Sequence, residues 1–333
     1  MSPASTSSAP ELIGVGASLV DLLLAVDDDF LTRHVSGSKG GMEWADAEVI
    51  AGLVSLSGRE PLQVAGGSAS NTTAGCAALG IRSAFIGAVG RDDLGGFYRQ
   101  ALVERGCEPR LVERHGQPTG RVLSLVTPDA QRTMRTCLGA SAGMAGQHFT
   151  AETFAGTRLV MLEGYALFNH DLARAVAAAA HAAGAEFALD LASFEVVRAN
   201  RAVVEELLAN HVDVVFANED EATAWNPGGP QAALDDLARL VPTVVVKLGK
   251  DGALIADGDA RSRVGSPTVE AIDTTGAGDN FAAGFLSARL RGLPAPACAE
   301  LGAQCGAAAV QVMGAHLPGD QWARLKGWLD AWA

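Results

Sequence analysis

Cysteine is scarce and scattered, with five residues (Cys76, Cys107, Cys137, Cys298 and Cys305) in 333 and no Cys-x-x-Cys pair. An odd count at such spacing argues against a disulfide framework or a zinc cluster, and the expected compartment is a reducing cytoplasm. Positive charge is the scarcer sign: Lys plus Arg total 25 against 38 for Asp plus Glu, a formal net charge of −13. No basic stripe exists to neutralise a polynucleotide backbone, so no nucleic-acid partner is expected. The same acidity repels small anions, so any phosphate site must be built from local positive groups. Long apolar runs are also missing. The longest uncharged stretch, Leu301 to Gly319, is interrupted by Gln304, Gln311, His316, Pro318 and several glycines, and is too polar to span a bilayer. Met1 to Pro10 has neither a basic segment nor an apolar centre, so residues 1–10 read as a disordered tail and not as a signal peptide.

Apolar residues, by contrast, make up 48% of the chain, enough for a sizeable core, and 39 glycines point to many tight turns. At roughly 150 residues per domain the length predicts about two domains or one large one. Apolar β-branched runs alternate with Ala-rich helical stretches, the pattern of an α/β fold with helices on both faces of a parallel sheet. The strands expected are 12–17, 83–89, 159–163, 186–191, 213–217 and 243–248. Helices are expected over 68–79, 94–105, 171–183, 201–210, 231–240, 277–291, 296–312 and from Asp320 onward, with Gly80, Gly106, Gly184 and Gly292 just past four of them. Two segments break the alternation. They divide the chain into a core (11–25, 65–110 and 138–333) and a small β-containing lid (26–64 and 111–137).

The strongest chemical signal is the run Asp273-Thr274-Thr275-Gly276-Ala277-Gly278-Asp279-Asn280, a glycine turn leading into a helix. The first amides of a helix lack partners and the helix dipole adds partial positive charge, so Gly276, Ala277 and Gly278 can cradle an anion. Asp279 beside them is placed to take a proton from a hydroxyl, although a helix cap is the plainer use of such an aspartate. A second glycine-opened helix, Gly66-Gly67-Ser68-Ala69-Ser70-Asn71, carries an amide one turn inside. Asn71 offers donors and an acceptor that suit a vicinal diol, while Ser68 alone would explain the segment as a capped helix start.

Both segments resemble the two signatures of the ribokinase, or PfkB, family of carbohydrate and nucleoside kinases. Gly14-Val15-Gly16-Ala17-Ser18-Leu19-Val20-Asp21, Gly87 to Gly95 and Asn218-Glu219-Asp220-Glu221 resemble that family's opening strand, its second strand and turn, and its Asn-x-x-Glu motif, in the same order. Arg132-Thr133-Met134, Leu138-Gly139-Ala140 and Leu191-Ala192-Ser193-Phe194 look most like its adenosine kinase branch. The resemblance implies a ribokinase-like three-layer α/β/α sandwich with a lid, and ATP-dependent phosphorylation of a primary hydroxyl, with adenosine to AMP as the leading reaction. A sugar kinase for ribose or fructose is the alternative, and a non-catalytic nucleoside-binding protein is an alternative of another class.

On the same resemblance, Asp279 is the general base, and Arg132 meets the phosphates. Asp21 and Asn71 hold acceptor hydroxyls, with Gly66 and Gly67 as the lid hinge. Asn218, Lys247, Gly249, Gly252 and Thr274 contact ATP, chiefly through backbone for the Lys247-Leu248-Gly249-Lys250-Asp251-Gly252 turn, which a plain hairpin would also explain. Glu221 organises Mg²⁺ through water, although Asn218 and Glu221 also fit a helix cap and its third position. A monovalent cation such as K⁺ would fall near Asp273 and Gly314. Trp44, Phe168 and Phe194 are the aromatic candidates for contact with the acceptor, and the chain is expected to act as a monomer or homodimer. A dehydrogenase reading fails at Leu19, where the dinucleotide fingerprint needs its third glycine, and neither His-x-x-x-His nor Gly-x-Ser-x-Gly occurs.

Overall fold

The computed structural model describes residues 9–129 and 131–332. Fourteen strands form among them: β1 (Leu12–Val15), β2 (Leu19–Ala25), β3 (Met42–Trp44), β4 (Leu62–Gly66), β5 (Ser83–Gly90), β6 (Glu108–Arg114), β7 (Gly120–Val126), β8 (Arg132–Cys137), β9 (Leu159–Glu163), β10 (Glu186–Asp190), β11 (Val214–Asn218), β12 (Thr243–Lys247), β13 (Ala253–Asp257) and β14 (Ala260–Val264). Nine make one mixed sheet in the order β14-β13-β12-β11-β10-β9-β1-β5-β6, and five make a second, small sheet in the order β3-β8-β7-β2-β4. The central strands of the large sheet pair in parallel, and β1, β5 and β9 are buried along their whole length. That is why they read as unbroken apolar runs and not as alternations. This is an α/β ribokinase-like fold with a small second sheet as lid.

Two apolar layers cover the large sheet. On one face Phe187, Leu189, Val215 and Val244 meet the helices His170–Ala182, Arg201–Asn210 and Pro230–Leu237. On the other, Phe216, Met161 and Val245 meet the helices Ala277–Leu290 and Ala295–Ala309, and the rings of Phe216 and Phe285 cross at 89° with centroids 5.3 Å apart. These two helices pack closely because Gly284 has no side chain: a Cβ there would stand 2.8 Å from the Leu301 carbonyl oxygen. A third apolar cluster, with Val20, Leu22, Leu24, Leu123 and Leu125, fills the space beneath the small sheet.

The structure moves several expected boundaries. β2 pairs with β4 and β7 in the small sheet, so Leu19–Ala25 leaves the core to which 11–25 was assigned. β6 pairs in parallel with β5 and carries the large sheet through Arg114, past the expected lid boundary at 111. The segment 26–64 holds the helices Asp28–His34 and Ala47–Ser57, which the apolar pattern does not reveal; Asp27 caps the first by accepting from the Phe30 N–H at 2.7 Å. The helix expected over 296–312 ends at Ala309, because the Val310 carbonyl accepts the N–H groups of Ile272 and Asp273. Residues 1–8 of the expected tail lie outside the described residues, whereas Pro10 is buried. Cys298 and Cys305 pack in the core as free thiols. Among the described residues no helix is long and apolar enough to cross a membrane.

Candidate active site

Two glycines with positive φ start the two helices that meet at the site. Gly276, at φ 72°, precedes the helix Ala277–Leu290, and Gly67, at φ 95°, precedes the helix Ser68–Ala78. Neither tolerates a side chain: a Cβ at Gly276 would stand 2.3 Å from Ala315 Cβ, and one at Gly67 would stand 2.4 Å from the Ala17 carbonyl oxygen. The helix starts face each other across Asp279. Ser68 Oγ donates to Asp279 Oδ1 at 2.8 Å, Asn71 Nδ2 donates to Oδ2 at 3.0 Å, and Thr72 Oγ1 donates to the Asp279 carbonyl at 3.1 Å. Ser68 therefore does not cap its own helix but holds the carboxylate of the other one, a role the local sequence could not reveal. Burial pushes the Asp279 carboxyl up to about 6, against the pull of Asn71, Ser68 and Lys247 and with a push from Asp190. A carboxylate tuned toward neutrality suits a general base.

The glycine turn beside it leaves two of the three expected amides open. The N–H groups of Gly276 and Gly278 make no backbone hydrogen bond among the described residues, whereas the Ala277 N–H turns back to the Thr274 carbonyl at 3.2 Å. Thr274 itself is exposed. Lys247 reaches the turn with its side chain: a Cβ at Gly278 would stand 3.2 Å from its Nζ. That ammonium donates to Asp190 Oδ2 at 2.8 Å. Burial opposes its charge, but Asp190, Glu221 and Asp279 outweigh that penalty and raise its pKa. Gly249 and Gly252 shape the connection between β12 and β13, where the Leu248 N–H donates to the Gly252 carbonyl, so the hairpin is what these residues build.

Asn218 and Glu221 form a reciprocal cap. Asn218 Oδ1 accepts from the Glu221 N–H at 2.9 Å, while the Glu221 carboxylate accepts from the Asn218 N–H at 2.8 Å and from its Nδ2 at 2.7 Å. Burial, with Asp190 nearby, raises the Glu221 carboxyl to about 7. No group of three or more metal-ligating side chains occurs among the described residues, so no dedicated protein cage for a metal is built. A Mg²⁺ ion that arrives on phosphate oxygens and keeps its waters needs only one or two nearby carboxylates, and Glu221 and Asp190 fit that demand.

The small sheet supplies the other wall. Asp21 pairs with Val122, Val122 with Thr136, and Thr136 with Trp44, so one row across the sheet carries all four on one face. Arg132 and Met134 alternate onto that face from β8. Asp21 lies over Gly66, where a Cβ would stand 2.5 Å from its Oδ2. Burial lifts Asp21 to about 6, Arg132 pulls it down, and Asp279 pushes it up. Arg132 crosses to the large-sheet side, donating from Nη1 to Thr275 Oγ1 at 2.8 Å and from Nη2 to Asp273 Oδ2 at 2.6 Å. Asp273 also accepts the Gly314 N–H at 2.8 Å, which joins the two segments named for a monovalent cation, with the Arg132 guanidinium as the cation present. Trp44 is 61% exposed, and Phe168 and Phe194 are exposed just beyond the ends of β9 and β10.

Glu163 and Asp190 escaped the sequence reading. Each is a buried acid that ends a strand, and Glu163 accepts the N–H groups of Ala17 at 2.7 Å and Ala69 at 3.0 Å, tying β1's exit to the first turn of the Asn71 helix. Burial raises it to about 7. For Glu163 the sequence signal is an acid that ends an apolar run, and for Asp190 it is an acid after Phe187-Ala188-Leu189.

A buried carboxylate beside a glycine turn, with a lysine behind and an arginine at the rim, is the kind of arrangement that phosphoryl transfer can use. Residues 45–322 match the pfkB family of carbohydrate kinases, and the chain belongs to that family. It is 27% identical to an adenosine kinase from Schizophyllum commune over 92% of this chain and 96% of that one. Among solved structures, an adenosine kinase from Sinorhizobium meliloti is 32% identical, covers 98% of this chain and 100% of its own, and superposes with a TM-score of 0.84. A probable sugar kinase from Rhizobium etli CFN 42 is 30% identical, with 96% and 99% covered and a TM-score of 0.85.

Proposed function

We propose that the chain transfers the γ-phosphoryl group of ATP to the primary hydroxyl of a nucleoside, with adenosine converted to AMP. The observation that carries the reading is the Asp279 carboxylate, held by Ser68 and Asn71 at the head of the Gly276–Gly278 turn. Asp279 takes the proton of the acceptor hydroxyl as that oxygen attacks the γ-phosphorus and ADP leaves. Asn71 orients the carboxylate, and Asp21 on the opposite wall accepts from the acceptor's other hydroxyls. The amides of Gly276 and Gly278 and the Lys247 ammonium face the charge that develops on the transferring oxygens. Mg²⁺, when bound with ATP, neutralises phosphate charge, and Glu221 holds its waters. On this reading Gly249, Gly252, Thr274 and Asn218 contact the nucleotide.

The nucleoside class rests on the open face of the small sheet, where Asp21 and Trp44 share a cross-strand row and can meet the two ends of one ligand. A flat base gains from burial against Trp44, whereas a free sugar reaches only Asp21. A sugar acceptor is the second reading, supported by the likeness to the probable sugar kinase. The purified chain with ATP and Mg²⁺ is offered adenosine, other nucleosides, ribose and fructose at equal concentration, and ADP formation is measured. Adenosine turns over fastest on this proposal. Exclusive turnover of a free sugar would transfer the acceptor assignment to sugars, and no turnover with any acceptor would remove the catalytic reading.

A further inference from the structure

We propose that a second cavity of this chain, away from the kinase site, binds a small monocarboxylate with an apolar body. The cavity, of about 330 Å³, lies where the edge strand β6 meets the 3-10 turns Gly139–Gly143 and Ala151–Phe154 and the loop between them. Its floor is apolar: Ile86, Ala88, Met144 and Phe149 are buried and belong to the cluster on the sheet face opposite the Gly276 helix. None of Asp21, Asn71, Arg132, Lys247 or Asp279 lines it.

The mouth carries Arg110, Arg114 and His148, with Glu152 on the rim, a concentration of basic groups that stands out on a chain of net charge −13. Arg110 Nε is spent on Glu108 at 2.8 Å. Arg114 is different, for among the described residues its guanidinium makes no hydrogen bond and no ion pair. It lies flat against Gly143, where a Cβ would stand 2.7 Å from Nη2, so the glycine leaves room for the guanidinium at the opening. One uncommitted guanidinium above an apolar floor calls for one carboxylate on an apolar body, bound through a two-pronged contact. Glu152 at the rim disfavours a dianion, which sets phosphate esters aside. The volume falls at the lower end of small-molecule sites and suits a single ring with its carboxylate.

The test uses the full chain and the probe 4-(trifluoromethyl)benzoate, followed by ¹⁹F NMR. Saturable binding is expected, weakened at least tenfold by Arg114→Gln, weakened equally for the neutral 4-(trifluoromethyl)benzyl alcohol, and unchanged in Asp279→Asn. Val112 lines the same cavity from an exposed position, so Val112→Trp fills the seat without disturbing the core and should abolish binding. It decides the matter even if Arg114→Gln lowers the thermal unfolding midpoint. The proposal is overturned by absence of saturable binding, by full affinity in Val112→Trp or in a folded Arg114→Gln, or by inorganic phosphate displacing the probe at equal concentration.

Discussion

Replacing Asp279 by Asn separates catalysis from stability, because the two effects have opposite signs. The amide keeps the shape and can accept from Ser68 Oγ, which now donates to the carboxylate at 2.8 Å. Its own NH₂ needs an acceptor, and Asn71 supplies one: its Oδ1 is buried without a partner, so a flip of the Asn71 amide restores a matched pair. What is lost is the ability to take a proton, worth roughly 100- to 10,000-fold in kcat. What is gained follows from the Asp279 carboxyl, which burial raises from 3.8 to about 6 in the folded chain. The two states bind protons differently by about two pKa units, so above neutral pH the ionised carboxylate costs the native state up to about 3 kcal/mol. Asp279→Asn is therefore expected to lose at least a hundredfold in kcat while raising the ligand-free unfolding midpoint at about pH 8. The assays are ADP release at saturating substrates and thermal unfolding by circular dichroism. A variant that keeps kcat within tenfold would refute the base assignment, and one that unfolds at a lower temperature would refute the account of a carboxylate held in an unfavourable setting.

The same linkage predicts a pH dependence for the unmodified chain. Asp21 and Asp279 are raised to about 6 and Glu163 and Glu221 to about 7, so the folded state keeps protons that the unfolded chain releases at lower pH. Ligand-free stability should therefore fall as pH rises through about 6 to 7, and a midpoint higher at about pH 8 than at about pH 6 would contradict this. Glu221→Gln should raise the Mg²⁺ concentration for half-maximal rate with little change in acceptor KM, since the glutamine oxygen can still accept the Asn218 N–H although the second bond, from Asn218 Nδ2, is lost; an unchanged Mg²⁺ titration would leave Glu221 only its capping role. Gly67→Val places a β-branched residue at φ 95° with its Cβ against the Ala17 carbonyl, and should cost at least roughly 1–3 kcal/mol of stability from the dihedral alone. Unaltered denaturant unfolding would show that the junction can relax.

The chain's local grammar made part of this legible. The glycine turns at Gly67 and Gly276 announce themselves because small residues cluster just where a helix begins, and the strands β5 and β9 because both their faces are buried. Partner choice was hidden. Ser68 has the sequence of a cap and the position of a carboxylate clamp, and only the packing of two helices 211 residues apart distinguishes them. Asn218 and Glu221 show the reverse, a cap that is real and that also points a carboxylate toward Lys247. β2 read as core because Leu19–Ala25 follows β1 closely in the chain, yet sheet membership is fixed by its pairing with β7, about a hundred residues away. Glu163 and Asp190 were invisible for a similar reason: an acid at the end of an apolar strand is ordinary until the fold buries it.

On the proposed function, Arg132 is the group that reconciles the acidic chain with an anionic ligand. The sequence pointed it toward phosphate, and the structure engages it with Asp273 and Thr275 at the rim of the amide cradle. These are not competing roles. A guanidinium has five N–H donors, and only Nη1 and Nη2 contacts to Thr275, Asp273 and the Met313 sulfur are spent here. Asp273 itself stays ionised: burial works against its charge, but the Gly314 and Thr275 N–H groups, the Thr275 hydroxyl and Arg132 outweigh it and lower its pKa. A carboxylate held below its usual range fixes the arginine's position and leaves Nε and one Nη1 N–H unspent, so the positive charge is already oriented before an anion arrives. Because Arg132 stands on β8 and Asp273 belongs to the core, the same contact also ties the small sheet to the glycine turn. Any movement of the small sheet over the acceptor must therefore carry this charge with it or break an ion pair, which couples the lid's position to the field at the cradle.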